Sequence, residues 1–527
     1  MRRNGLGRRE FLREVGAGAA VITLPLISGC ATTKGKGGGD IAMKKLYHGP
    51  QEATVTAHTT YFDSFGVDQG VLQRTLERGL ARGGDLSEVF LQHRVSQWVG
   101  MEDGAVNRAY TTVDLGAGIR VLKGDATGFA YCEDLTEQAL ARAAATAAAV
   151  ADGKATVQPK PLAVQPVKSR YQVKVPWSEV GVDKQLPIIV RADKAARARD
   201  RRIIKVTVFL NTETSRVLVA NSAGVLVEDD QPMAVLSLSC VGEHKGKTET
   251  AGRSLGGRDG LGFFSGEAID RVATEATDHT VILFEAGPPP VGELPVVLAP
   301  GIPGILLHEA IGHGMEADFN RKGISIYSGR IGQRIAPPEV TIVDGGEGRM
   351  RGSLNVDDEG TDTEETVLVE KGILRSYMHD HISSRHFKTD ETGSGRRESF
   401  RFPPVPRMRN TYMRSGSRSQ EEIIASVDRG LFAEVFYNGQ VFIGAGDFTF
   451  YLKHGRLIEK GKLTRYVKDA NLIGNGPKVL EKVAMVGNDL EMYSGAGYCG
   501  KDGQRVPVGF GLPTLKVGGV SIGGRKA

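Results

Sequence analysis

The chain has 527 residues, 40% of them hydrophobic and 24% charged, the proportions of an ordinary globular protein but a length that asks for more than one core. Five arginines and two glutamates fall in residues 1–29; beyond that stretch sixty-two basic residues face sixty acidic ones, so little of the formal net charge of +5 belongs to the body of the protein. With 6% aromatics and no basic run interleaved with them, nucleic acid is excluded as a partner.

The first residues read as an address. Gly7 to Arg13 sets Arg8 and Arg9 before Phe11 and Leu12, and the apolar run Val15 to Ile27 follows, the layout of a twin-arginine export signal. That run is shorter than the ~20 residues of a spanning helix and contains Pro25. It ends at Ile27-Ser28-Gly29-Cys30, which resembles a lipobox, with Cys30 as the lipid-bearing residue and the Gly/Lys-rich stretch to Asp40 as a flexible tether. The expected protein is therefore exported by the twin-arginine pathway and held in the periplasm or cell envelope through a membrane anchor at Cys30. Cys132, Cys240 and Cys499 remain, an odd number in an oxidising compartment, so at least one is unpaired, intermolecular or a metal ligand.

Further along, an amphipathic helix is expected over Gly70 to Ala81, then strands over Ser87 to Val95 and Gly118 to Gly124. Asp134 and Glu137 suggest a capping box for an alanine-rich helix from Leu135 to Ala151, with Gly153 as its stop. Gly153 to Tyr171 lacks period and reads as a linker; residues 193–203 resume a charged, alanine-rich helix, and IIKVTVFLN and RVLVANSAGVLVED read as strands. The proline-rich FEAGPPPVGELP (Phe284 to Pro295) is a second breaker, after which short strand-like runs alternate with glycine turns. The resulting α+β organisation has a signal over 1–30, a tether over 31–55, an N-terminal α/β domain over 56–160, a middle α+β domain over 161–290, and a mostly-β C-terminal catalytic domain over 291–527.

Chemistry concentrates at the start of that last domain. In LPVVLAPGIPGILLHEAIGHGMEADFN (Leu294 to Asn320), a buried strand leads through Pro303 into an apolar helix, Gly304 to Met315, carrying His308, Glu309 and His313. Two imidazoles beside a carboxylate are the makings of a hydrolytic zinc site, the histidines holding the metal and the glutamate taking a proton from water. The spacing is unusual. Histidines at i and i+5 stand about 140° apart on a regular helix, too far to share one cation, so a π-bulge near residues 309–313 is predicted, with Gly312 and Gly314 making the backbone permissive.

HEAIGHGMEADFN resembles the HExxxH signature of the TldD/PmbA family of zinc peptidases. Other segments agree in order: GIRVLKGDATGFAY, SGRIGQRIAPPEVTIVD, PRMRNTYM (Pro406 to Met413) and GAGYCGKDGQ (Gly495 to Gln504), so the likeness covers roughly residues 60 to 527. The resemblance implies zinc held by His308, His313 and Cys499, with Glu309 as general base. Cys499 is also favoured on its own terms: Cys132 and Cys240 sit in or beside apolar strands, where small thiols are commonly buried, whereas Cys499 lies between Gly497 and Gly500. A Cys–His–His set leaves a fourth position open, as catalytic zinc requires. The resemblance further implies a peptidase acting on short or unfolded polypeptides that enter as an extended strand, in a homodimer or a heterodimer with a related subunit. The export signal departs from most of the family. Two other readings remain: a non-catalytic binding or maturation subunit, and a metal amidase acting on a non-protein amide such as a cell-wall fragment.

Three features are expected to be bland. His379, His381 and His386 read as solvated polar residues, the acidic run Asp357 to Glu365 as an exposed turn, and the basic GSGRRESFR (Gly393 to Arg401) as a solvated loop, although the last is suited to a peptide carboxylate.

Overall fold

A computed structural model describes residues 59–345 and 348–524, together with the backbone of a short strand, Ala19–Thr23. The twin-arginine pair, Cys30 and the tether lie outside the described residues. The secondary structure is mixed, with helix concentrated before residue 290 and the C-terminal part mostly β.

Long antiparallel strands dominate the first half. Leu86–Glu102 pairs with Ala105–Lys123 on one side and with Ile203–Asn221 on the other, in register from Glu88 opposite Asn221 to Glu102 opposite Thr207. The segments expected as an N-terminal and a middle domain therefore contribute adjacent strands to one seven-stranded sheet, completed by Ala126–Cys132, Val225–His244, Lys247–Gly257 and Ala163–Val164. The last of these lies inside the expected linker.

Alternation along Leu86–Glu102 explains how the two faces divide. Val89, Leu91, Val99 and Met101 point to one face, where four helices cover them. Gln69–Leu80 is capped by Asp68, whose carboxylate accepts from the Val71 amide. The next helix starts at Glu137 rather than Leu135: Thr136, not Asp134, accepts from the Ala139 amide, because Asp134 is occupied in binding Thr136 itself. It ends at Ala147. Val182–Arg199 and Gly266–Glu285 pack on the remainder of the same face. Phe90 points the other way and packs with Val356 and Phe400 of the C-terminal region, so the second face of the sheet is an internal wall.

In the C-terminal region, strands Arg429–Phe442, Asp447–Glu459, Lys462–Asn475, Leu515–Gly524 and Gly292–Leu298 pair in that order, and Gly292–Leu298 returns to pair with Arg429–Phe442, closing a ring. Side chains such as Leu298, Phe436, Phe450, Leu472 and Val517 fill the associated core. A six-stranded sheet abuts it, in which Asn410–Met413 runs parallel to Gly509–Leu512. The Ala19–Thr23 strand pairs with Arg429–Phe442, and its Val21 lies opposite Gly500 of the hairpin strand Tyr498–Lys501.

The internal wall is fastened by charge. Arg120 forms ion pairs with Glu88 and with Glu359, each at 2.6 Å, while Arg397 reaches the other oxygen of Glu88 at 2.5 Å. All four side chains are buried. Asp357, Asp358 and Glu359 are thus not an exposed turn, nor are Arg396 and Arg397 a solvated loop; each buried acid or base here is stabilised by partners from distant parts of the chain. Removing one member of a buried pair leaves an uncompensated charge, so Glu88→Gln should destabilise the fold by about 3–5 kcal/mol. Urea titration of the two proteins would detect this as a lowered midpoint; coincident curves would show that the network does not fasten the sheet.

Candidate metal centre

Strand Gly292–Leu298 runs from the closed ring into the motif. Gly301 takes a left-handed φ of 80°, which turns the chain, and a short 3₁₀ turn over Ile302–Gly304 with Pro303 in its first turn starts the helix. After one α-helical stretch, Ile305–Leu307, the chain winds as a π-helix over His308–Gly312, where the His313 amide donates to the His308 carbonyl. This is the i to i+5 bond that the histidine spacing calls for. The imidazoles meet edge to face with centroids 5.0 Å apart. The winding is held by tight packing: a Cβ on Gly312 would lie 2.0 Å from the Met408 sulfur, and one on Gly304 would lie 2.9 Å from the Gly511 backbone.

Cys499 arrives from the other side on strand Tyr498–Lys501. Its sulfur lies 3.4 Å from His313 Nε2, and ligand atoms of His308, His313 and Cys499 all fall within 4.8 Å of one another. All three residues, and Glu309, are fully buried. The ring nitrogens of His308 meet no nitrogen or oxygen partner and lie beside the Cys499 sulfur, a costly state for a buried imidazole unless an ion takes the lone pair. The donor set fits a divalent metal of intermediate softness, zinc foremost.

The electrostatics agree. Burial raises the Cys499 pKa, but the Arg407 guanidinium and the two imidazoles outweigh it and hold the thiol well below its usual range; Arg407 also donates to the Cys499 carbonyl at 2.5 Å. Cys132 and Cys240 are the contrast, each pushed up to about 11 by burial. Among the described cysteines, thiolate character distinguishes Cys499.

Behind His313 stands a carboxylate that the sequence reading passed over. Glu316 Oε2 lies 2.9 Å from His313 Nδ1, so the ring presents Nε2 toward Cys499. Burial works against the Glu316 charge, yet Lys501 and His313 overcome it and bring the carboxyl to about 2. Lys501 in turn bridges Glu316, at 3.1 Å, and Asp318, at 2.7 Å. Glu316 and Asp318 lie in HEAIGHGMEADFN, Arg407 in PRMRNTYM and Lys501 in GAGYCGKDGQ, so the signal was their presence inside the shared segments.

The other histidines form no such set; among the described residues, His308, His313 and Cys499 are the only group of this kind. His379 is buried rather than solvated, and burial pushes it down to about 4. His381 pairs with Glu391 at 2.6 Å from the start of a short helix.

Residues 87–151, 175–284 and 291–524 match domain 1, the central domain and the C-terminal domain of the PmbA/TldA metallopeptidases. The chain belongs to this family. It is 40% identical over 451 residues to the metalloprotease TldD homolog of Haemophilus influenzae, covering 84% of this chain and 93% of that protein. A metalloprotease of Methanocaldococcus jannaschii is 30% identical over 439 residues, 81% and 95% of the respective lengths. TldE from Thermococcus kodakarensis shares the fold at a TM-score of 0.69 and 19% identity, over 86% of this chain and all of that one. The protein is a metallopeptidase, and metal chemistry is part of its activity.

Carboxylates that orient metal-ligating histidines typically carry 10–100-fold in metal affinity. Glu316→Gln should therefore weaken metal binding by about that factor, measured by competition with a chromophoric chelator, whereas an unchanged affinity would assign Glu316 to packing alone.

Proposed function

We propose that this protein is a zinc-dependent peptidase that hydrolyses peptide bonds in short or unfolded polypeptides, with His308, His313 and Cys499 as metal ligands and Glu309 as general base. The observation that carries the reading is the buried convergence of two imidazoles and a thiolate-prone sulfur within 4.8 Å. A zinc metalloprotease TldD homolog of Saccharolobus solfataricus, 32% identical over 258 residues, supports the choice of metal.

Zinc, once bound, supplies a Lewis acid for the scissile carbonyl and an acidified water. The chain does the rest. Glu316 fixes the His313 ring, Arg407 favours the Cys499 thiolate, and Glu309, next to His308 on the π-turn, accepts the proton lost by the attacking water and passes it to the departing amine.

An extended substrate is supported by the Ala19–Thr23 strand. Its backbone fits between Arg429–Phe442 and Tyr498–Lys501, with Val21 opposite Gly500, so a chain can complete a ladder right beside Cys499. Folded proteins, whose backbones are already paired, should resist. We further propose a dimer, of like subunits or with a related one, and an exported protein anchored by lipid at Cys30.

The test is cleavage of an unstructured peptide pool by the mature protein and by Glu309→Gln at equal zinc content. Loss of the general base should slow cleavage by about 10²–10⁴-fold with zinc retained. Equal rates would remove Glu309 from the mechanism, and no cleavage by the unaltered protein would argue for a binding subunit.

A further inference from the structure

Between the internal wall of the first sheet and the C-terminal region lies a cavity of about 520 Å³, within the size range of ligand sites. Alternate residues of the long strands form one side, among them Gln92, Phe209 and Met233; Tyr498, the neighbour of Cys499, forms part of the other. The cavity thus reaches the hairpin that carries the third ligand.

Its lining holds seven arginines and three carboxylates; Arg94 and Arg397 are already paired, with Asp114 and Glu88. The carboxylates are partly engaged already: Asp358 accepts from the Arg397 amide at 2.7 Å and Glu398 from the Arg505 amide at 2.6 Å. Arg258, Arg351 and Arg396 are 4%, 1% and 2% exposed, and none of them makes an ion pair with a described carboxylate. Arg351 lies over the Tyr498 ring, 4.2 Å from its centroid, and donates through Nη1 to the Gly497 carbonyl at 2.6 Å, while Nε and Nη2 have no hydrogen-bond partner. Arg396 donates to the carbonyls of Met408 and Pro507, and its Nε is unpartnered, as is that of Arg258. Burial pushes Arg396 down to about 9; the nearby Asp358 opposes that shift, and Arg258 and Arg407 add to it. Guanidiniums buried with donors to spare are costly unless an anion meets them. Planar forks match carboxylates. Beside them Trp98 stacks on Tyr110 at 6.2 Å, both partly exposed, offering an apolar shelf.

We propose that this cavity, built around Arg258, Arg351 and Arg396, binds a carboxylate of the polypeptide substrate. The enzyme then selects chains that carry a negative group at a fixed reach from the bond being cut. This specificity rests on the peptidase reading above. The carboxylate is either the substrate's C-terminus or an Asp or Glu side chain, and the two sources are separable.

The experiment uses the full-length zinc-loaded chain carrying Glu309→Gln, which retains substrate uncut, and follows fluorescence anisotropy of one labelled unstructured peptide in three forms. These are the free C-terminal acid, the C-terminal amide, and the amide with one internal Asn→Asp change. A charge-assisted contact predicts binding at least about tenfold tighter for an acid-bearing form than for the neutral amide; whichever form gains identifies the source. In the added background of Arg258→Gln or Arg351→Gln that ratio should fall close to one. Equal affinity of all three forms overturns the carboxylate site and leaves the peptidase reading intact, and so does a ratio that survives both arginine substitutions. Failure of every form to bind overturns both. The three-peptide comparison on the parent chain decides the matter even if an arginine variant does not fold.

Discussion

Two imidazoles five residues apart face one another with ring centroids 5.0 Å apart, and that constraint shapes the surrounding structure. A regular α-helix would splay them; the π-turn over His308–Gly312 brings them together. Such a turn is less favourable than α-helix, so it needs support from outside. Met408 closes on Gly312, Gly511 backs onto Gly304, and the Ala310 carbonyl lies where a Cβ on Gly476 would have to go. These contacts come from three different segments, and each demands a residue without a side chain at the point of approach. The closed ring of strands delivers the helix, and the tight packing keeps its winding.

The first sheet contributes through its unhelical face. One surface of Leu86–Glu102 meets helices in an ordinary apolar core, while the other meets the C-terminal region through the Glu88–Arg120–Glu359–Arg397 network. Burying charge is weakly stabilising at best, but each of these pairs joins a strand of the first sheet to a partner fixed in position. The cationic cavity lies on that same wall, so a fastening device and a recognition surface share one face.

Much of the centre was legible in the sequence. His308, Glu309 and His313 stand out by residue type, and their spacing alone implies the π-turn. Cys499 came from the family resemblance, aided by its glycine-flanked position. Glu316 did not stand out because a carboxylate three residues after a histidine is ordinary on any helix; only the buried Lys501 opposite makes it singular. The clearest misreadings were Asp357 to Glu359, Arg396, Arg397 and His379, all taken as solvent-facing. Charged residues are exposed by default, and what reverses that default here is far away: Arg397 meets Glu88 across 309 positions of sequence. The shared first sheet was hidden for a similar reason. Strand length and alternation are local properties, whereas the pairing of Leu86–Glu102 with Ile203–Asn221 spans the intervening segment and leaves no periodic trace.

The centre is also divided in time. His313 and Cys499 are 186 residues apart, and the strand Leu515–Gly524 that helps close the ring follows Cys499. A chain growing from the ribosome at about 5–20 residues per second therefore displays its histidines for many seconds before the sulfur exists to complete the set. During that interval the nascent protein carries His308, Glu309 and His313 without Cys499, so the centre described here is assembled only after nearly all of the chain has been made.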